Sequence, residues 1–206
     1  MSYVLSFRRK KSTDVELIYD FGNYEGTVFH NHAKKRWTSI IPIPDTSINY
    51  LEIGVSYGLH VITIADTYCK HPDSKLYCVD PWKDYDEYPE YKGQQDNIYN
   101  TFTQNINKHE NPSKFIINRG LSEDIVPTFD NDFFDIIFVD GNHETEYVYA
   151  DGKMAFDKVK SGGYIIFDDY DWPQTKKGID MFVDEYSSKL KLVSFSSPYQ
   201  VIVQKL

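Results

Sequence analysis

The stretch Tyr50-Leu51-Glu52-Ile53-Gly54-Val55-Ser56-Tyr57-Gly58-Leu59-His60 constrains the fold more than any other part of the chain. Asn49 to Ile53 are mostly apolar or β-forming, and Val61 to Ala65 continue without a breaker. The pattern reads as a buried strand, a tight glycine turn and a helix that starts at once. In an open α/β sheet such a corner turns a helix N-terminus and bare backbone amides toward a crevice, the usual seat of a nucleotide-like ligand. Gly54 and Gly58 permit close backbone approach and unusual φ/ψ. Their spacing is G-x-x-x-G rather than G-x-G-x-x-G, so the corner alone does not name the ligand.

Downstream the pattern becomes regular. Strands are expected at 48–53, 75–80, 114–118, 133–139 and 164–167, with Ser161-Gly162-Gly163 as a turn before the last. Helices are expected at 57–70, 94–110, 122–128 and 145–160, and from Pro173, a good first helical residue, to about 189. Two closing runs, 190–195 and 199–204, flank Ser-Ser-Pro and read as an antiparallel hairpin. Strands alternating with helices imply right-handed parallel βαβ units. The expected fold is α/β: a Rossmann-like, doubly wound, mostly parallel seven-stranded sheet ending in an antiparallel C-terminal hairpin. It occupies residues 48–206, with 1–47 as an N-terminal cap or extension. Within that extension 15–21 suits a short strand or helical turn, and 30–41 a helix stopped by Pro42 and Pro44. His30 and His32 lack further ligands and read as ordinary surface, and Arg8 to Lys11 as a solvated tail.

The balance of charge narrows the partners. A net charge of -9 leaves no general basic surface for phosphates, which argues against nucleic acid and anionic membranes. No apolar run reaches the ~20 residues that span a bilayer, and no secretory leader is visible. Cys69 and Cys78 make no disulfide framework and read as buried thiols in a reducing compartment. The expectation is a soluble, intracellular (cytoplasmic) protein. Its oligomeric state is left open, a homo-oligomer included.

In a doubly wound sheet the C-terminal strand ends line the crevice. The first gives Glu52 and Gly54, and the second Asp80. The third gives Arg119 and Gly120 with Ser122 just after, the fourth Asp140, Gly141, Asn142 and His143, and the fifth Asp168 and Asp169. Asp80 is placed to accept both hydroxyls of a ribose diol. Asp140, Asp168 and Asp169, converging from neighbouring strands, would repel unless a cation or proton sat among them. Hard oxygen ligands favour Mg²⁺, Mn²⁺ or Ca²⁺ over zinc. His143, three residues past Asp140, is a candidate general base for a hydroxyl proton. The loop 82–91, dense in tyrosine and acid, suits stacking on a sugar and accepting its hydroxyl protons, with Asp171-Trp172 as the opposite wall.

LEIGVSYGLH, VDPW, the segment FDIIFVDGNHETEYVYADGKMAFDKVKSGGYIIFDDY and the closing hairpin resemble class I S-adenosylmethionine-dependent methyltransferases. More narrowly they resemble the metal-dependent O-methyltransferases acting on sugars and natural products, relatives of the catechol methyltransferases. The resemblance covers about residues 45–206. It implies that Glu52, Gly54, Ser56 and Gly58 hold the methionine part of the cofactor and Asp80 its ribose. Gly120, Leu121 and Ser122 would lie along the adenine. Asp140, Asp168 and Asp169 would bind Mg²⁺ (or Mn²⁺), and His143 is similar to the base of the sugar-methylating members. Asn142 stands where that family often has an acid, and Glu144 and Thr145 offer no counterpart of the catechol enzymes' lysine. A sugar or glycan hydroxyl is therefore favoured as acceptor over a catechol-like or other small natural product. Two other classes stay open: a nicotinamide-dependent oxidoreductase, against which the missing G-x-G-x-x-G and the Asp-Asp pair speak, and a non-catalytic binding module. An amino-methylating nucleic-acid enzyme fits poorly, because Asp168 to Trp172 are not an N/D-P-P-Y site.

Overall fold

The computed structural model describes residues 24–26, 36–85, 91–196 and 199–206. The basic run at 8–11, the element expected at 15–21, the His30/His32 pair and residues 86–90 lie outside these. Seven strands, β1 (Asn49–Ile53), β2 (Lys75–Asp80), β3 (Phe115–Arg119), β4 (Phe134–Val139), β5 (Val159–Phe167), β6 (Leu190–Ser196) and β7 (Gln200–Lys205), form one sheet in the order β3-β2-β1-β4-β5-β7-β6. Strands β1 to β5 pair in parallel, while β7 lies antiparallel to both β5 and β6. The strand order reverses between β1 and β4, the position at which open α/β sheets bind ligands. The doubly wound sheet with its antiparallel hairpin is the architecture expected from the sequence.

The central strands are short apolar runs because both faces are covered. On β4, Ile136 and Phe138 enter a cluster with Tyr50, Ile62, Ile64 and Phe102, whereas Ile137 and Val139 enter another with Val148, Ile179 and Phe182. Each such side chain contributes ~1.5–3 kcal/mol by burial. Helices α1 (Leu59–Ala65) and α2 (Gln95–Lys108) supply the first layer. The short α3 (Ser122–Ile125) follows β3, and α4 (Thr145–Lys158) and α5 (Pro173–Glu185) supply the second layer. Cys69 and Cys78 are free, buried thiols, and burial pushes Cys69 up to about 12.

Several boundaries differ from the expectation. Helix α1 stops at Ala65 rather than 70, where the Thr67 hydroxyl donates to the Thr63 carbonyl at 2.6 Å and the Cys69 amide reaches back to Ile64 at 3.0 Å. Strand β5 begins at Val159, so Ser161-Gly162-Gly163 lies inside it, as a register shift against Phe134 and Ile136. The register runs from Val159 to Tyr164 on β5 against Phe134 to Ile136 on β4, so three extra residues are accommodated while both flanks stay paired. Helix α5 ends at Glu185, short of 189.

Of the helix expected at 30–41, the described part is a single 3₁₀ turn, Trp37–Ser39. Trp37 is fully buried against Tyr68, His60 and Phe138. Its indole Nε1–H donates to Gln200 Oε1 at 2.9 Å, and the Tyr68 hydroxyl donates to the Ile41 carbonyl at 3.1 Å. Trp37 and Ile41 thus belong to the core, while Thr38 and Ser39 between them are exposed.

Candidate active site

A crevice of about 460 Å³ opens along the C-terminal strand ends. Its floor is the glycine corner after β1. Gly54 has φ +85° and donates its amide to the Val79 carbonyl at 2.9 Å. A methyl group there would lie 1.9 Å from the Asp140 carbonyl oxygen, so only glycine lets this corner abut the end of β4. Gly58, at φ +79°, caps α1 under the Phe102 ring.

Asp80 braces the corner. Its Oδ2 accepts the amides of Val55 and Ser56, both at 2.9 Å, and its Oδ1 accepts that of Trp82 at 2.7 Å. Burial raises the carboxyl above its ordinary value and the nearby Glu52 charge adds to this, while the three amides pull it down. A carboxylate has about four lone-pair sites, so Asp80 retains capacity for a ligand hydroxyl. Glu52 is 1% exposed and also lines the crevice. Its Oε2 accepts the Tyr50 hydroxyl at 2.7 Å and lies 2.9 Å from His60 Nδ1.

Beyond β3, Gly120 donates to the Asp80 carbonyl at 3.0 Å and is set behind the wall, whereas Leu121 and Ser122 line it. The Ser122 hydroxyl donates to Asp151 Oδ1 at 2.6 Å. Asp151 also lines the crevice. Burial, with a smaller push from Glu123, raises its carboxyl to about 7 against the pull of the Ser122 hydrogen bond. Arg119 points elsewhere: its Nη2 donates to the Trp82 carbonyl and to Asp96, and its guanidinium lies over Tyr99.

The far end gathers the acids of β4 and β5. The Asp140 amide donates to the Ile53 carbonyl at 2.8 Å and the Asp168 amide to that of Val139 at 3.1 Å, continuing the sheet to the crevice edge. His143 Nε2 lies 2.9 Å from Asp169 Oδ2 and 3.9 Å from Asp140 Oδ1. One ligand atom from each of Asp140, His143 and Asp169 falls within 4.8 Å of the others, a set able to hold a metal ion. Asp168 lines the same crevice but is not one of that trio. Asn142 Oδ1 accepts the Glu144 amide at 2.7 Å and so shapes the turn into α4. The His143 ring lies 4.8 Å from that of Trp172, which sets Trp172 beside the acids, but neither Asp171 nor Trp172 lines the crevice as the expected opposite wall.

The aromatic loop divides. Tyr85 and Tyr91 line the crevice. Trp82 does not serve as a sugar platform: it is 1% exposed, stacks on Phe102 at 4.7 Å and donates its indole N–H to the Ser56 carbonyl at 2.9 Å. His60, Asp151 and Gln200 are crevice residues that the sequence reading missed. The one available signal for Gln200 was a polar residue opening the apolar run Val201-Ile202-Val203.

Comparison with known proteins agrees with this geometry. A family model described as a methyltransferase domain matches residues 51–170. An uncharacterized protein of Acanthamoeba polyphaga mimivirus is 33% identical over 97 residues, 44% of this chain and 43% of that protein. The chain therefore matches less than half the length of that relative. Among solved structures, the O-methyltransferase NovP superposes with a TM-score of 0.60 at 19% identity, over 79% of this chain and 72% of that one. The O-methyltransferase TomG from Streptomyces achromogenes, involved in tomaymycin synthesis and solved with SAM, gives 0.57 at 16% identity, over 77% and 73%. An O-methyltransferase from Bacillus cereus, solved with SAH, gives 0.55 at 18% identity, over 77% and 74%. At these identities the three structures speak for the fold.

Proposed function

The chain belongs to the methyltransferase-domain family, and from that premise we propose that it transfers a methyl group from S-adenosylmethionine to a hydroxyl oxygen of a sugar or glycan, with help from a divalent cation. The observation that carries this reading is one crevice with two chemically distinct ends. The glycine corner braced by Asp80 lies at one end, and Asp140, His143 and Asp169 converge at the other. The O-methyltransferases of like fold, two of them solved with SAM or SAH, support the same reading.

The residues suit the cofactor. Asp80 keeps acceptor capacity for a ribose hydroxyl beside the three amides it already accepts, and Leu121 and Ser122 offer a wall for adenine, with Gly120 giving the turn behind them. The corner residues Glu52, Gly54, Ser56 and Gly58 face the methionine part. When bound, S-adenosylmethionine supplies an electrophilic methyl group on a sulfonium. The carboxylates at this end suit Mg²⁺ or Mn²⁺, which would be held by Asp140, Asp168 and Asp169; Asp140 and Asp169 belong to the cluster able to hold a metal ion, and Asp168 lines the same crevice. Such an ion supplies positive charge that lowers the pKa of a nearby hydroxyl. His143 takes the acceptor's proton, its ring oriented by the Asp169 carboxylate at 2.9 Å and by Trp172. Most of the rate enhancement then comes from positioning and electrostatics.

The described crevice lining contains no lysine or arginine. This favours an uncharged hydroxyl acceptor, with Tyr85 and Tyr91 as walls, over a nucleic acid. Among the described residues no helix is long and apolar enough to cross a membrane. Free buried thiols suit an intracellular setting.

The test is calorimetry with S-adenosylhomocysteine and NAD side by side, followed by methyl transfer to a panel of sugars with Mg²⁺ or with EDTA. Binding of S-adenosylhomocysteine alone, with turnover lost in EDTA and in Asp168→Ala, is expected. Preference for NAD would point to an oxidoreductase, and cofactor binding without turnover to a binding module. Full activity of Asp168→Ala in EDTA would remove the metal from the reaction.

A further inference from the structure

Asp151 stands in the middle of α4, is 3% exposed and lines the crevice, yet takes no part in the proposed methyl transfer. Carboxylates are seldom buried unless a cation pairs with them. Among the described residues Asp151 forms no ion pair, and its carboxyl receives one hydrogen bond, from the Ser122 hydroxyl to Oδ1 at 2.6 Å. Its Oδ2 is turned toward Gly141 in the turn after β4, where an added methyl group would lie 3.4 Å away. Ser122 and Gly141 line the crevice too, so one carboxyl oxygen stands unused between two lining segments. The groups around it supply no counter-charge. Helix α3 brings Glu123, whose charge repels an ionised Asp151. The turn after β4 brings Asp140 and His143, the imidazole lying 2.9 Å from Asp169. Strand β2 brings Asp80, and α4 itself Tyr147. From α5 the Phe182 ring packs on the next residue, Gly152. No lysine or arginine is among the described lining residues. Burial without a cation thus keeps a proton on this carboxyl, which titrates at about 7.

A neutral carboxyl donates as well as accepts, whereas the unsubstituted ring nitrogens of adenine only accept. On the reading proposed above, adenine lies against Leu121 and Ser122, the segment whose hydroxyl already orients Asp151. A base seated there covers Asp151 and strips its remaining water, which disfavours the ionised form further. We propose that Asp151 contacts the cofactor as the neutral acid, donating from Oδ2 to a ring nitrogen of the base, so that cofactor binding takes up a proton from solution. Ser122 decides which oxygen donates, because Oδ1 accepts its hydroxyl. Cofactor affinity is thereby tied to pH. It is constant while Asp151 is protonated in the free protein. It falls as pH rises past the free protein's value, until the complex releases its proton as well. The proposal rests on the S-adenosylmethionine reading and adds to it a linkage between cofactor affinity and the acidity of the medium.

The test is calorimetry with S-adenosylhomocysteine on the wild type and Asp151→Asn at pH 6 and pH 8, in pairs of buffers whose ionisation enthalpies differ, which counts the protons taken up. With a free-protein value of about 7, the wild type should bind about tenfold more weakly at pH 8 than at pH 6 and take up close to one proton at pH 8. Asn presents an NH₂ in place of Oδ2 and does not titrate. Asp151→Asn should therefore bind at pH 8 as tightly as the wild type does at pH 6, without that proton uptake. In the wild-type complex the ¹³C shift of the Asp151 carboxyl should remain that of a protonated acid at pH 8, a measurement that decides the matter where the variant fails to fold. The same pH dependence in wild type and Asp151→Asn, or an ionised Asp151 in the complex at pH 8, would overturn the proposal. Absence of S-adenosylhomocysteine binding to the wild type at both pH values would instead remove the cofactor reading, and this inference with it.

Discussion

Replacing Asp151 by Asn should stabilise the protein above pH 7 and change it little near pH 4. The wild-type carboxyl is 3% exposed, receives a hydrogen bond from Ser122 and titrates at about 7 in the fold, against an ordinary 3.8. Between those values the folded protein keeps a proton that the unfolded chain has released. Stability therefore falls as pH rises through this window, and the loss is complete above the folded value. At ~1.4 kcal/mol per pH unit, the wild type should lose about 3 kcal/mol between pH 5 and pH 8 through this group. Asn keeps the shape and an acceptor for Ser122 but does not titrate. Urea unfolding of both proteins at pH 5 and pH 8 reads the difference, expected as a relative midpoint shift on the order of 1 M. Comparing the two pH profiles cancels groups common to both, such as Asp80, whose carboxyl is also raised. Parallel stability profiles for wild type and Asp151→Asn would refute the reasoning.

Other substitutions probe the same frame. Ser122→Ala removes the hydrogen bond that pulls Asp151 down, so the wild-type loss of stability should move to higher pH in the same urea series. Gly54→Ala forces a methyl group against the Asp140 carbonyl at φ +85°; it should lower the melting temperature and weaken S-adenosylhomocysteine binding at least tenfold by calorimetry, from backbone strain of about 1–3 kcal/mol and the shift of Asp140. Trp37→Phe keeps an aromatic ring but leaves Gln200 Oε1 without its donor, and denaturant midpoints should report a loss of ~1–3 kcal/mol. Unchanged midpoints there would show that the indole hydrogen bond contributes little.

The alternation of short apolar runs with helical stretches was readable because β1, β4 and β5 are covered on both faces, which leaves little room for polar residues within them. Strand ends were readable for a topological reason. Parallel strands bring their C-termini to one edge, so Glu52, Asp80, Asp140, Asp168 and Asp169 could be placed on one crevice without any distance being known. What the sequence concealed depends on partners far along the chain. The Trp37–Gln200 hydrogen bond joins residues 163 positions apart, and no local pattern announces it. Trp82 follows a strand end just as a ligand-stacking residue would, yet Phe102 draws it into the core. Asp151 sits in the middle of α4, where a carboxylate ordinarily faces solvent; its burial follows from how that helix packs beside Gly141 and Ser122. The bulge in β5 was missed because glycine pairs announce turns more often than irregular strands.

The placement of β7 between β5 and β6 bears on how the protein is made. On the ribosome β5 emerges first, then α5 and β6, and β7 only afterwards. Until Lys205 has left the exit tunnel, the edge of β5 that carries Tyr164 to Phe167 has no native strand beside it. At ~5–20 residues per second this leaves an apolar strand edge open for seconds in each round of synthesis. Open edges of that kind invite pairing with a second chain. Chaperone supply and slowed translation should thus change the soluble yield more than they change the stability of the finished fold, and chains truncated before Gln200 should collect in the insoluble fraction.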